Sequence, residues 1–108
     1  MSEDIIKSTL LSIINAGAGR TQEERIAAII ALGNYSIDNK KCIPFFIQII
    51  ETKIGKSKEE RLAAISVLGN VGGNEAQDFL IKIINSKPKY NKEERIAAIN
   101  ALGYIRSF

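Results

Sequence analysis

EERIAAIIALGN, from Glu23 to Asn34, returns as EERLAAISVLGN from Glu59 to Asn70 and again as EERIAAINALGY from Glu93 to Tyr104. The second copy matches the first at nine positions and the third matches it at ten, far too many for chance in a chain of 108 residues. Arg25, Arg61 and Arg95 are therefore equivalent, spaced by 36 and then 34 residues. A self-similar period of this length marks a solenoid, in which each unit buries its apolar face only against its neighbours.

Each copy begins with the signs of a helix start. Thr21 and Glu24, Ser57 and Glu60, and Asn91 and Glu94 have the spacing of a capping box, in which the cap side chain and the carboxylate each satisfy an orphan backbone donor. Gly33, Gly69 and Gly103 then either cap the helix or let another backbone come close to it. Counting back from each Arg aligns a second set of helices: Leu10 with Phe46 and Leu80, Ile13 with Ile49 and Ile83, and Ile14 with Ile50 and Ile84. Asn15, Glu51 and Asn85 fall together on the solvent side of these helices. The repeat is thus a helix pair. The pattern predicts helices over 4–15, 22–34, 42–53, 58–70, 74–86 and 92–105, grouped as repeats 4–34, 42–70 and 74–105. No stretch alternates with period two, so no sheet is predicted. The two-residue difference in period lies between pairs, where Tyr35 to Lys41 forms a longer link than the tight turn at Gly72-Gly73.

Composition sets the outer bounds. At 45% hydrophobic and 25% charged, with two prolines, the chain reads as one ordinary domain spanning 1–108. Such a length buries roughly two-thirds of its unfolded surface. The net charge of +3 is too small to imply a nucleic-acid partner by itself. The first residues carry Glu3 and Asp4 where a secretory signal would be basic, and no apolar run approaches membrane-spanning length. With Cys42 as its one cysteine, the chain cannot close an internal disulfide, so a reducing, cytoplasmic setting is expected.

Arg25, Ala27-Ala28 and Ala31-Leu32-Gly33 resemble the second helix of a HEAT repeat, of the short type also found in phycobilisome bilin-lyase subunits. Ile43-Pro44 resembles the opening of that family's first helix. Tetratricopeptide repeats share the period but need a Trp that this chain lacks, and the ankyrin Thr-Pro-Leu-His is absent. The resemblance implies an all-α superhelix of three helix pairs, a binding scaffold, and an Arg ladder that stabilises it. The chain departs from the family pattern at two places. Thr21, Ser57 and Asn91 replace the usual Asp, and Glu24, Glu60 and Glu94 replace the usual Val before Arg.

Little in the chain suggests catalysis. There is no His, which removes the commonest general base and metal ligand, and with it any Cys–His pair. Cys42 opens a helix but aligns with Ile6 and Ala76, which favours a packed thiol over a reactive one. The paired acids Glu23-Glu24, Glu59-Glu60 and Glu93-Glu94 sit where carboxylates offset a helix dipole, so capping explains them without a metal. Neither an enzyme nor a cofactor is expected.

Two surfaces are candidates for binding. On a 100-degree wheel, Ala28, Ile29 and Leu32 turn inward, while Ile26, Ile30 and Glu23 turn to the opposite side. Ile26, Leu62 and Ile96 then line up across the repeats, beside Ile30, Ser66 and Asn100, with Glu23, Glu59 and Glu93 at one margin. That strip suits a peptide or helix of another protein, unless curvature or a second copy covers it. The other surface is a basic edge of Arg20, Lys53, Lys56, Lys58, Lys87, Lys89 and Lys92, interleaved with Tyr90. It would track a phosphate backbone if unneutralised, but the nearby Glu pairs favour a solvated edge. An accessory or chaperone role in a bilin-lyase-like system follows only from the family resemblance. Finally, the last helix keeps its apolar residues and adds Tyr104, Ile105 and Phe108, which predicts a homodimer through the carboxy-terminal edge.

Overall fold

In a computed structural model the chain is described at residues 2–36, 40–87 and 89–105, with side chains from Ile5 onward except that of Lys40. It forms α1 (Ser2–Ile14), α2 (Gln22–Tyr35), α3 (Ile43–Glu51), α4 (Lys58–Val71), α5 (Asn74–Asn85) and α6 (Lys92–Leu102). Short 3-10 turns at Gly17–Gly19 and Lys40–Cys42 precede α2 and α3. No strand occurs among the described residues.

All three capping boxes form. Glu24, Glu60 and Glu94 donate their backbone N–H to Thr21, Ser57 and Asn91, and their carboxylates accept the cap residue's N–H in return. The α4–α5 link is short because Gly72 and Gly73 both take positive φ, 71° and 91°, which a side chain would resist. Two helices stop two or more residues before the predicted end. α3 stops at Glu51, where Thr52 turns extended and its hydroxyl donates to Gln48 O at 2.7 Å. α6 stops at Leu102 rather than 105, and its last turn tightens through Tyr104 N to Ala101 O and Ile105 N to Leu102 O.

The helices form two layers. α1, α3 and α5 each pack on their partners α2, α4 and α6, while α2, α4 and α6 pack on one another in sequence. α3 and α5 touch only lightly, so the second-helix layer is the tighter one and the concave side of the superhelix. Its core is Ile29, Leu32, Ala64, Ile65, Leu68 and Ala98 against Phe46, Ile50, Leu80 and Ile83.

Two features hold the concave layer together. The first is close approach. A Cβ on Gly33 would overlap the Val67 side chain, and one on Gly69 would lie 2.5 Å from Ala101 O, whereas Gly103 faces no such neighbour. Gly33 and Gly69 therefore serve packing inside their helices, not capping.

The second is an arginine ladder. Arg25 Nε donates to Glu60 Oε2 at 3.0 Å and Nη2 to Oε1 at 3.3 Å, while Arg61 Nε reaches Glu94 Oε2 at 3.4 Å. Each Arg also ties the loop of its own pair: Arg25 to the carbonyls of Gly17 and Arg20, Arg61 to Lys56 O, and Arg95 to Tyr90 O. Glu60 and Glu94 are almost fully buried by this arrangement. Burial pushes the Glu60 carboxyl up, but the bonds from Arg25 and Ser57 outweigh it and hold the group below its ordinary 4.5.

Two expectations follow. Gly33→Ala and Gly69→Ala should each cost about 1–3 kcal/mol by overpacking, whereas Gly103→Ala, at helical φ and ψ of −66° and −17°, should be neutral or gain up to about 1 kcal/mol, read by urea unfolding. Glu60→Gln should cost roughly 3 kcal/mol at pH 7 by leaving Arg25 without its carboxylate. Because the folded-state pKa of Glu60 lies below the unfolded one, the wild-type advantage should be constant near neutrality and shrink as pH falls below 4.5.

Candidate functional site

The concave surface is set by the register of α2, α4 and α6. Helices in contact lie about 8–10 Å apart, so equivalent residues form rows at that spacing across the layer. The row Ile26, Leu62 and Ile96 runs from half-buried at its first two members to exposed at the third, and Leu62 leans on the core. The neighbouring row Ile30, Ser66 and Asn100 is exposed throughout. Ile30 and Ile96, at 48% and 47% exposure, are the large apolar groups this surface offers to solvent.

At the amino-terminal ends of the same helices, Glu23, Glu59 and Glu93 are exposed. Lys58 Nζ donates to Glu93 Oε1 at 2.6 Å, which raises the lysine's pKa. Glu23 and Glu59 have no ion pair among the described residues, so the acidic margin retains two free charges. The site is thus a mixed strip, apolar at Ile30 and Ile96, polar between them at Ser66 and Asn100, and acidic at one end.

The basic edge is different from what its composition suggests. Arg20 is bridged to Glu24 at 3.1 Å. Lys56 Nζ donates to Ile14 O at 2.5 Å and lies 3.9 Å from Glu60, and burial lowers its pKa despite that carboxylate. Lys53 Nζ donates to Lys89 O at 3.1 Å, and Lys89 Nζ lies 3.4 Å from Glu51. Lys87 and Lys92 are exposed.

Tyr90 is not an aromatic platform. Its side chain is fully buried, and its hydroxyl donates to Glu51 Oε1 at 3.0 Å. Burial and that carboxylate together hold its pKa above the ordinary tyrosine value. Lys53 and Lys89 sit 5.6 and 5.4 Å from its ring centre. Glu51, placed by alignment among solvent residues, is half-buried beneath this cluster. The signal was there in that Glu51 is the one acid in its aligned set and Tyr90 the one aromatic in its own, where Arg20 and Lys56 stand in the other repeats.

Cys42 is wholly buried. Among the described residues, no three His, Cys, Asp or Glu side chains are gathered as a metal ion would need. A cleft between α1 and α3, lined by Leu11, Ile14, Phe45, Gln48 and Lys56, lies on the opposite layer from the strip and carries no acid–base pair. Tyr104 is exposed and Ile105 packs partly against the core, while Phe108 lies outside the described residues. No described helix is long and apolar enough to cross a membrane.

Comparison with curated proteins and with solved structures gave no match. The family model of HEAT repeats, however, matches residues 8–103, from within α1 to the residue after α6. With the paired helices, the single concave layer and the interlocked arginines already in place, the chain belongs to the HEAT repeat family.

Proposed function

We propose that the protein is a non-catalytic interaction module that binds a segment of another protein along the strip of α2, α4 and α6. The observation that supports it is the pair of exposed isoleucines, Ile30 and Ile96, on the inner layer of a superhelix. A superhelix presents its concave layer as an elongated receptor for a peptide or helix. Ile26 and Leu62 continue the apolar surface between them, Ser66 and Asn100 supply polar contacts, and Glu23 and Glu59, at the margin where Glu93 is already paired with Lys58, favour a ligand basic at one end. A cytoplasmic setting accords with the unpaired Cys42. An accessory role in a bilin-lyase-like system is a narrower version of this function, and its support is the resemblance of Arg25, Ala27-Ala28 and Ala31-Leu32-Gly33.

The binding test is selection of helical peptides from a displayed library, with titration of the best against wild type and an Ile30→Glu/Ile96→Glu variant. Both substitutions sit at exposed positions, so the fold should melt unchanged, while affinity should fall at least tenfold. Equal affinity would remove the strip as the binding surface. Leu62 is a poorer probe, because it leans on the core.

The engaged lysines of the basic edge argue against nucleic acid. Gel shifts with duplex DNA and single-stranded RNA at about 0.15 M salt should show no complex, where a phosphate-tracking edge would give binding that falls steeply with salt.

A further inference from the structure

The ladder that joins the repeats is left open at both ends of the described structure. Glu60 and Glu94 each receive the arginine of the preceding pair and are 1% exposed in the side chain, whereas Glu24 is 47% exposed and, besides its cap bond to Thr21, pairs with Arg20 of its own repeat. Arg25 and Arg61 each reach the carboxylate of the following pair. Among the described residues Arg95 meets no carboxylate, and its Nη1 donates to Tyr90 O at 2.6 Å.

The same asymmetry runs through the apolar positions. Ile29, Ile65 and Ile99 are equivalent; the first two are 0% exposed under the next second helix, and Ile99 is 54% exposed. Gly33 and Gly69 are the small residues on which Val67 and Ala101 sit, and Gly103 keeps that smallness with only Asn100 O of its own helix beside it among the described residues. On the leading side, Ile6 is exposed where its equivalents Cys42 and Ala76 are wholly buried. Ala31, equivalent to the buried Val67 and Ala101, is only half-buried.

The trailing face of α6 thus carries an arginine, an isoleucine and a bare glycine. The leading face of α2 carries the acid and the small residue that meet those groups inside the chain. We propose that the occupant of each face is a second copy of this chain, joined head to tail. Arg95 of one copy engages Glu24 of the next, and Ile99 and Gly103 pack on its α2 around Ala31.

The contact repeats the geometry already present between α2 and α4 and between α4 and α6. It is heterologous, so copies add in series or close a ring, which differs from a dimer made by facing like edges. Of the concave strip it reaches only Ile96, whose equivalents Ile26 and Leu62 are half-buried beside a following helix, and it leaves Ile30, Ser66 and Asn100 open.

The test uses two variants that each block one face. Ile99→Glu spoils the trailing face and leaves the leading face intact, and Ala31→Arg does the reverse. Sedimentation equilibrium of the wild type should show an average mass that rises with concentration past two copies or levels at a larger fixed number. Each variant alone should remain monomeric, and an equimolar mixture should form a one-to-one pair and nothing larger. Thermal melts matching wild-type monomer at low concentration confirm that both variants fold. A wild type monomeric up to about 0.5 mM would overturn the proposal, because association weaker than that leaves the faces free. A mixture that forms no pair would overturn it as well. So would Ala31→Arg dimerising by itself, because that places two trailing faces together. Ile30→Glu should assemble like wild type, which separates this contact from ligand binding on the strip.

Discussion

The structure depends on one shared carboxylate. Glu60 closes the capping box of α4 and at the same time accepts the guanidinium of Arg25 from the preceding pair. A buried charge is costly unless its hydrogen-bonding capacity is met. Here the Ser57 amide and two guanidinium N–H groups meet it, and no buried side-chain polar atom among the described residues lacks a partner. Neither role is separable from the other. The cap orients the carboxylate, and the arginine makes its burial tolerable.

That sharing fixes the stacking register. The apolar surfaces of α2, α4 and α6 are near-copies, and a purely apolar contact between such helices would tolerate sliding by one turn. A one-turn slip displaces the partners by about 5.4 Å, which separates Arg25 from Glu60 and leaves both charges half-desolvated. Gly33 and Gly69 reinforce the choice, because each receives one particular residue of the next helix, Val67 and Ala101 respectively. Close approach at Gly33 and Gly69 draws α2, α4 and α6 together, while α3 and α5 on the other layer touch only lightly.

Most of the fold was legible in the sequence because it is written three times. Repetition located the helix starts, and the cap residues Thr21, Ser57 and Asn91 behaved as their chemistry requires. Helix ends were less legible. The tract Glu93 to Tyr104 matches its counterparts almost fully, yet α6 stops at Leu102 where α2 and α4 run on past their glycines to Tyr35 and Val71. The ladder was half-visible: an inward arginine implies a carboxylate, but Glu24, Glu60 and Glu94 already had a sufficient explanation as caps. Their replacement of the family's usual Val was the clue to a second role. Tyr90 was misplaced because a residue in a loop between lysines carries no periodicity that would mark it as buried, and Glu51, at the end of α3, followed Asn15 and Asn85 to the solvent side because only its repeat is followed by a tyrosine that bonds it.

The exposed residues of the concave strip do not all have the same meaning. Ile26 and Leu62 are half-buried, and Ile96 at the equivalent position is exposed. Part of the exposure of Ile96 therefore arises because no helix follows α6 in the described structure, as it does for Ile99. Ile30 is free of that effect. It faces outward from α2, on which α4 already packs, and its equivalents Ser66 and Asn100 are exposed as well, so its exposure belongs to the row and not to the end. An apolar side chain at a position that the other two repeats fill with polar ones is not required by packing, and it gives one end of the strip an apolar anchor. Copies stacked in series would cover Ile99 while leaving Ile30 open. The strip would then recur once per copy along a longer groove.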